Sequence, residues 1–242
     1  MEQHFAARGI RELRHERTVR ITHWVNFLSF VALTVSGIGI LTAHPRFYWG
    51  ETGFFDTPAA FELPFEAILE DLYIRAWGRQ VHFMAAWAAV LNGVVYVAWG
   101  LATGHFRFRF VPGRGQLAWN SIKAVVGRHL RLQNPAEESG YNVLQKFAYS
   151  AVVFGLLPLV ILSGLTMSPG VTAAFPQLFT LFGGRQSART IHFILAVVLV
   201  LFVAMHVFMT ILAGFRRSVG AMISPNISRA AVRGWGSRHK GG

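Results

Sequence analysis

His192 and His206 lie fourteen residues apart in one uncharged apolar segment. In an α-helix that spacing is close to four turns, so both imidazoles project from nearly the same face, roughly 21 Å apart at 1.5 Å per residue. This is most of the way across a hydrocarbon core of about 30 Å. Imidazole is a common metal ligand. His23 and His82 lie in two other apolar segments, at depths that pair His23 with His206 and His82 with His192. Taken singly, an intramembrane histidine is as readily satisfied by a Ser or Thr on a neighbouring helix, or serves a proton pathway. The matched set of four selects ligation. It predicts two stacked haems, each held by two histidines, and a path for single electrons across a bilayer. His4, His15, His44, His105, His129 and His239 fall in loops or tails, where a solvated role is expected.

A second spacing accompanies the first. Arg20, Arg79 and Arg189 each precede a histidine by three residues, at His23, His82 and His192. Residues at i and i+3 share a helix face, so each guanidinium lies one turn from its imidazole. Arg is well suited to carboxylates, and a haem carries two propionates. Propionate pairing is therefore expected, with anchoring of helix ends at the interface as the alternative. The strings Val35-Ser36-Gly37-Ile38 and Leu162-Ser163-Gly164-Leu165 repeat a small-residue pattern. Glycine there would admit either a flat macrocycle or a close helix neighbour.

The elements that must position these groups follow from composition. The 242 residues are 53% hydrophobic and 14% charged, against about 25% charged for an average soluble domain. Four uncharged spans stand out, at about 21–42, 80–103, 147–168 and 190–215. Each is long enough to cross a bilayer with some tilt, and backbone groups in lipid must be satisfied internally, so each is a helix. The expected fold is all-α, a single integral membrane four-helix bundle over residues 1–242, with short interfacial helices in the loops. Pro158 should kink the third helix. The first span lacks a small-residue cleavage site and reads as a retained helix. Without cysteine, the chain offers no disulfide, no iron–sulfur ligands and no covalent c-type haem.

The net charge of +12 lies outside the spans, which argues for the membrane and against nucleic acid. Residues 1–20, 104–146 and 216–242 together carry eighteen Lys and Arg, while 43–79 and 169–189 carry five. The positive-inside rule then puts both termini in the cytoplasm of a bacterial inner-membrane protein. The outer loop 43–79 is long for a helix connection. Its segment 64–77 has amphipathic helical spacing, and Trp49, Phe54, Phe55 and Phe61 add aromatics. It reads either as a helix on the membrane face or as a docking surface. Segment 116–131 reads as a basic interfacial helix.

At these residues the chain resembles the di-haem cytochrome b subunits of membrane-bound formate dehydrogenases, nickel–iron hydrogenases and thiosulfate reductases. The resemblance rests on Arg20–Trp24 (RITHW), Val81–Phe83 (VHF), the His192–His206 pair and Gly140–Lys146 (GYNVLQK), and covers all four helices. It implies two haem b groups, with one helix-4 histidine paired to helix 1 and the other to helix 2. It also implies a quinone site beside the inner haem, to which Asn142 and Gln145 correspond. A helix cap and an interfacial polar residue are their plainer roles. Leu144 departs from the small residue of the formate dehydrogenase relatives. Phe47–Pro64, with Tyr48-Trp49-Gly50-Glu51, is more similar to the thiosulfate-reductase type, which implies an extracytoplasmic molybdopterin oxidoreductase as partner.

The expected function is electron transfer between that partner and membrane quinone, as a subunit of an oxidoreductase complex. Alternatives are a hydrogenase cytochrome b and a histidine-based proton or metal transporter. Transporters of that kind usually place acids or broken helices in the spans, and these spans hold no acid. A purely structural anchor would not need four matched histidines.

Overall fold

A computed structural model describes residues 17–53, 57–64, 74–106, 127 and 143–223. Most of the expected amphipathic helix at 64–77, most of the basic helix at 116–131, Asn142 and both chain ends lie outside these residues. The architecture is all-α. Among the described residues four helices are long and apolar enough to cross a membrane: Arg17–Ala43, Trp77–Ala102, Val143–Thr166 and Arg185–Leu212.

In chain order the elements are α1 (Arg17–Ala43), β1 (Arg46–Phe47), β2 (Phe61–Glu62), α2 (Ile74–Ala102), α3 (Val143–Ala151), a π-helical turn (Val152–Leu156), α4 (Leu157–Thr166), α5 (Pro169–Ala174), α6 (Gln177–Phe182), α7 (Arg185–Leu212) and α8 (Phe215–Ile223). The first, third and fourth long helices begin four to five residues before the uncharged spans, so Arg17, Arg20, Lys146, Arg185 and Arg189 are helical. Long basic side chains reach back to the interface from such positions, and a count of apolar residues stops short of them. α1 ends just before His44-Pro45, since the residue preceding proline disfavours helical backbone.

The perturbation expected at Pro158 takes the form of the π-helical turn directly before it. There Leu157 N–H bonds the carbonyl of Val152. Proline has no N–H and its ring crowds the carbonyl four residues back. A widened turn absorbs both effects without breaking the helix.

Packing divides the chain into two compact units. One comprises Trp24–Val95 and Ser150–Leu201. Its buried residues are unusual: Ser36, Ser163, Thr166 and Thr190 are fully enclosed, while Leu28, Met84, Leu91 and Leu201 are exposed. Lipid is as apolar as leucine, so small residues that permit close helix contact occupy such interiors. A Cβ on Gly78 would come 3.2 Å from the Ser36 carbonyl, so α2 crosses α1 there nearly backbone to backbone.

The described part of the first loop in this unit is tied down. β1 and β2 pair antiparallel, Arg46 opposite Glu62 and Phe47 opposite Phe61. The Gly50 carbonyl accepts the N–H groups of Gln186 and Ser187 at 3.0 and 3.2 Å. Ser187 Oγ accepts the Gly50 N–H at 2.7 Å, and Thr190 Oγ donates to the Tyr48 carbonyl at 2.7 Å. The first turn of a helix has unsatisfied N–H groups, and here a remote loop carbonyl satisfies two of them. Gly184, at φ +101°, makes this approach possible, since a Cβ there would lie 2.5 Å from the Gly50 oxygen.

The second unit comprises Met1–His23, Tyr96–Tyr149 and Phe202–Gly242. In it Tyr96, Trp99, His105 and Phe106 form an aromatic cluster, with His105 and Trp99 ring centroids 4.8 Å apart. His105 is therefore a packed residue, contrary to its expected solvated role. The Phe106 ring fills the space where Gly100 lacks a side chain.

Candidate functional site

Among the described residues each unit contains one close pair of histidine rings. In one, the rings of His82 on α2 and His192 on α7 have centroids 6.2 Å apart. In the other, His23 on α1 and His206 on α7 are 6.4 Å apart. These are the partners that depth along the helices selects. Imidazole nitrogen binds a metal at about 2 Å and sits roughly 1 Å from its own ring centroid, so two imidazoles on opposite sides of one ion have centroids roughly 6 Å apart. Both pairs meet that requirement. Among the described residues no group of three or more His, Cys, Asp or Glu could hold a metal ion. Two imidazoles at that separation, without a third protein ligand among the described residues, suit an ion whose other positions a macrocycle fills.

The His82–His192 pair is oriented from behind. Ser36 Oγ on α1 lies 3.0 Å from His82 Nδ1 and 2.6 Å from the Ala32 carbonyl. The Leu33 backbone also hydrogen-bonds His82. Ser163 Oγ on α4 lies 3.1 Å from His192 Nδ1 and 3.0 Å from the Val160 carbonyl. His192 Nδ1 itself lies 2.9 Å from that carbonyl. A carbonyl only accepts, so Nδ1 of His192 is the protonated nitrogen. The Ser36 hydroxyl gives its hydrogen to its own helix, so it receives one from His82 Nδ1. In both rings Nε2 keeps the lone pair that a metal needs. The adjacent glycines make room: a Cβ on Gly37 would meet His82 Cε1 at 3.6 Å, and one on Gly164 would meet His192 Cε1 at 3.2 Å. The repeated Ser-Gly pattern thus seats the two imidazoles. Sequence reasoning assigned the glycines to a macrocycle or a helix contact and missed the serines, although the repeat itself was visible.

The three arginines fare differently. Arg20 has Nε and Nη1 buried without a hydrogen-bond partner, one turn from His23. Guanidinium donors left in that state suit an anionic group such as a propionate. Arg79 lines an open cavity of about 480 Å³ with Gln80, Phe83, Met167 and Pro169. Arg189 donates to the His44 carbonyl and lies over the Phe47 ring, 5.0 Å from its centroid. The structure thus gives Arg189 a part in holding the first loop. The ring of His44, outside the spans, has its pKa lowered by partial burial and then by the Arg189 and Arg79 guanidiniums.

Of the two residues matched to a quinone site, Asn142 lies outside the described residues. Gln145 is half-buried in the first turn of α3. Tyr149, four residues further, shares its face and meets His206 edge-on, with centroids 6.3 Å apart.

A family model described as prokaryotic cytochrome b561 matches residues 14–225. The chain is 32% identical over 217 residues to a protein of Azospira oryzae named "Putative protein-methionine-sulfoxide reductase subunit YedZ1", covering 86% of this chain and 94% of the relative. It is 26% identical to proteins named "Probable Ni/Fe-hydrogenase B-type cytochrome subunit". The Cupriavidus necator protein matches over 87% of this chain and 84% of its own length. The Azotobacter vinelandii protein matches over 81% and 79%. No solved structure matches.

Proposed function

The chain belongs to the prokaryotic cytochrome b561 family, and from that premise we propose that it binds two b-type haems in a four-helix bundle and carries single electrons across a bacterial inner membrane, between an extracytoplasmic redox subunit and quinone. Membership makes the chain a membrane b-type cytochrome. The count of two rests on one observation: two separate histidine pairs, with centroids 6.2 and 6.4 Å apart, each at the spacing of two ligands on one ion.

His82 and His192 would hold one haem, and His23 and His206 the other. Each haem, when bound, supplies a one-electron iron couple whose potential the protein tunes. The residues of the chain supply ligation, orientation and burial. Ser36 and Ser163 keep Nε2 of the first pair deprotonated. Arg20 offers buried donors to a propionate of the second haem, and Arg79 lines a cavity where a propionate of the first could be met. Exposed aliphatic faces on the long helices suit lipid contact and keep water from the pairs.

The excess of Lys and Arg in 1–20, 104–146 and 216–242 supports an orientation with both termini in the cytoplasm and the His82–His192 pair towards the extracytoplasmic side. The quinone would then bind beside the His23–His206 pair, at Asn142 and Gln145, with Tyr149 close by. Relatives named as subunits of a methionine-sulfoxide reductase and of Ni/Fe-hydrogenases support a redox-enzyme partner. A molybdopterin oxidoreductase is our reading of that partner, and a hydrogenase is the second.

A dithionite-reduced minus oxidised spectrum of the purified chain, with a pyridine haemochrome assay, tests the count. Two haem b per chain is the expected result. One haem at full occupancy would remove the pairing scheme, and none would leave the histidines to a transporter role.

A further inference from the structure

We infer that Ser36 and Ser163 are positioning residues for the two ligands of one haem, and that they set the potential of that haem separately from the other. This rests on the reading of His82 and His192 as ligands. Neither serine touches the cofactor in this scheme. Each is fully buried, and each sits on a helix other than the one bearing its histidine.

The two halves of the arrangement are the same device used twice. On α1, Ser36 Oγ faces His82 Nδ1 at 3.0 Å, and Gly37 follows it. On α4, Ser163 Oγ faces His192 Nδ1 at 3.1 Å, and Gly164 follows it. In each case the hydroxyl hydrogen is committed to a carbonyl of its own helix, at 2.6 Å to Ala32 and 3.0 Å to Val160. The serine oxygen is therefore an acceptor for imidazole Nδ1–H. The adjacent glycine lets the Cε1 edge of the ring lie against the helix. One helix hairpin, α1 with α2, builds one ligand, and a second, α4 with α7, builds the other.

An acceptor on Nδ1–H fixes the tautomer and the ring azimuth. It also makes Nε2 a stronger electron donor, which favours the oxidised metal. Removing the acceptor should then raise the midpoint potential. Carbonyls of Val160 and of the Leu33 backbone also serve the same rings. Loss of a serine should therefore weaken this donation and turn the ring without releasing the ligand.

The test uses the full-length haem-loaded protein. Ser36→Ala and Ser163→Ala each remove a single oxygen, so folding is checked by full occupancy of both haems. Redox titration and electron paramagnetic resonance of the ferric protein are the readouts, with the affected component identified as the one lost in His82→Ala. We expect its potential to rise in each variant and further in the double variant. A tenfold change in the ratio of ferric to ferrous affinity would read as about 59 mV for a one-electron couple. Its g-values, which report ring-plane angle, should move as well, and Ser36→Thr or Ser163→Thr, retaining the hydroxyl, should restore both. The other component should stay fixed. If both haems are bound and the alanine variants move neither potential nor g-values, or move the two components equally, the inference is overturned. A wild-type protein without haem would instead remove the reading of the histidines as ligands.

Discussion

Phe47 lies against Phe193, the residue after His192, with ring centroids 4.6 Å apart. Phe47 is 1% exposed and also stacks on Phe61 at 4.6 Å. The first loop, read from sequence as membrane-surface packing or a docking surface, thus contributes a core residue beside a candidate ligand. Among the described aromatic residues of this loop, Trp49 is 57% exposed and so left open to a docking role.

Replacing the whole of 47–61 by a flexible linker would therefore remove packing and helix capping together. Point variants separate the two roles. Phe47→Ala should destabilise the protein by about 3 kcal/mol, the lower end for truncating a buried Phe, and lower occupancy at His82–His192 first. Trp49→Ala should keep both haems and slow their reduction by the partner enzyme. Haem content with partner-driven reduction kinetics checks both, and unchanged reduction in Trp49→Ala would move the docking surface elsewhere.

Ligand loss should sort by pair. His82→Ala and His192→Ala should each leave the same single redox component, and His23→Ala and His206→Ala should each leave the other. The close approach of the rings within each pair motivates this. Redox titration of the four variants is the measurement, and a common survivor in His82→Ala and His206→Ala would contradict the pairing.

The glycines beside the serines should differ in tolerance. A methyl at Gly37 would sit at an ordinary 3.6 Å from His82, but one at Gly164 would crowd His192 at 3.2 Å. Gly164→Ala should shift the Soret band and potential of the haem proposed at His82 and His192, and Gly37→Ala should do so much less. Equal effects would mean that ring crowding is not what the glycines relieve.

His44 gives the first loop a pH dependence. Its folded pKa lies below the ordinary value, through burial and the two nearby guanidiniums. Its contribution to stability is therefore present above the unfolded pKa of about 6.5 and is lost as pH falls through the lower folded value. Hydrogen exchange at 44–50 should accelerate on acidification, and His44→Gln should flatten that dependence. An identical pH profile in the variant would assign the effect to another group.

Quinone exchange should depend on Asn142. Asn142→Leu should leave both haem spectra intact and weaken quinol affinity roughly five- to thirty-fold, as loss of one hydrogen bond of about 1–2 kcal/mol implies. Stopped-flow haem reduction by a quinol analogue measures it. Unchanged quinol dependence would relocate the site.

Much of this protein was legible in one dimension. Uncharged runs long enough to cross a bilayer identified four helices, because lipid tolerates neither exposed backbone nor unpaired charge. The depth of His23, His82, His192 and His206 selected their partners, because residue number along a straight helix is distance along the membrane normal. Helix rotation and loop path were not legible. Which face of α1 meets His82 depends on how two helices pack, so Ser36 looked like a small residue for close approach and not like a hydrogen-bond partner. The contact of Gly50 with Ser187 joins positions 137 residues apart, and no local periodicity encodes it. The same holds for Arg189: its spacing to His192 suggested a propionate partner, and only the tertiary structure brought the His44 carbonyl and the Phe47 ring to it. Spacing sets what a side chain can reach along its own helix, while a loop arriving from elsewhere decides what it meets.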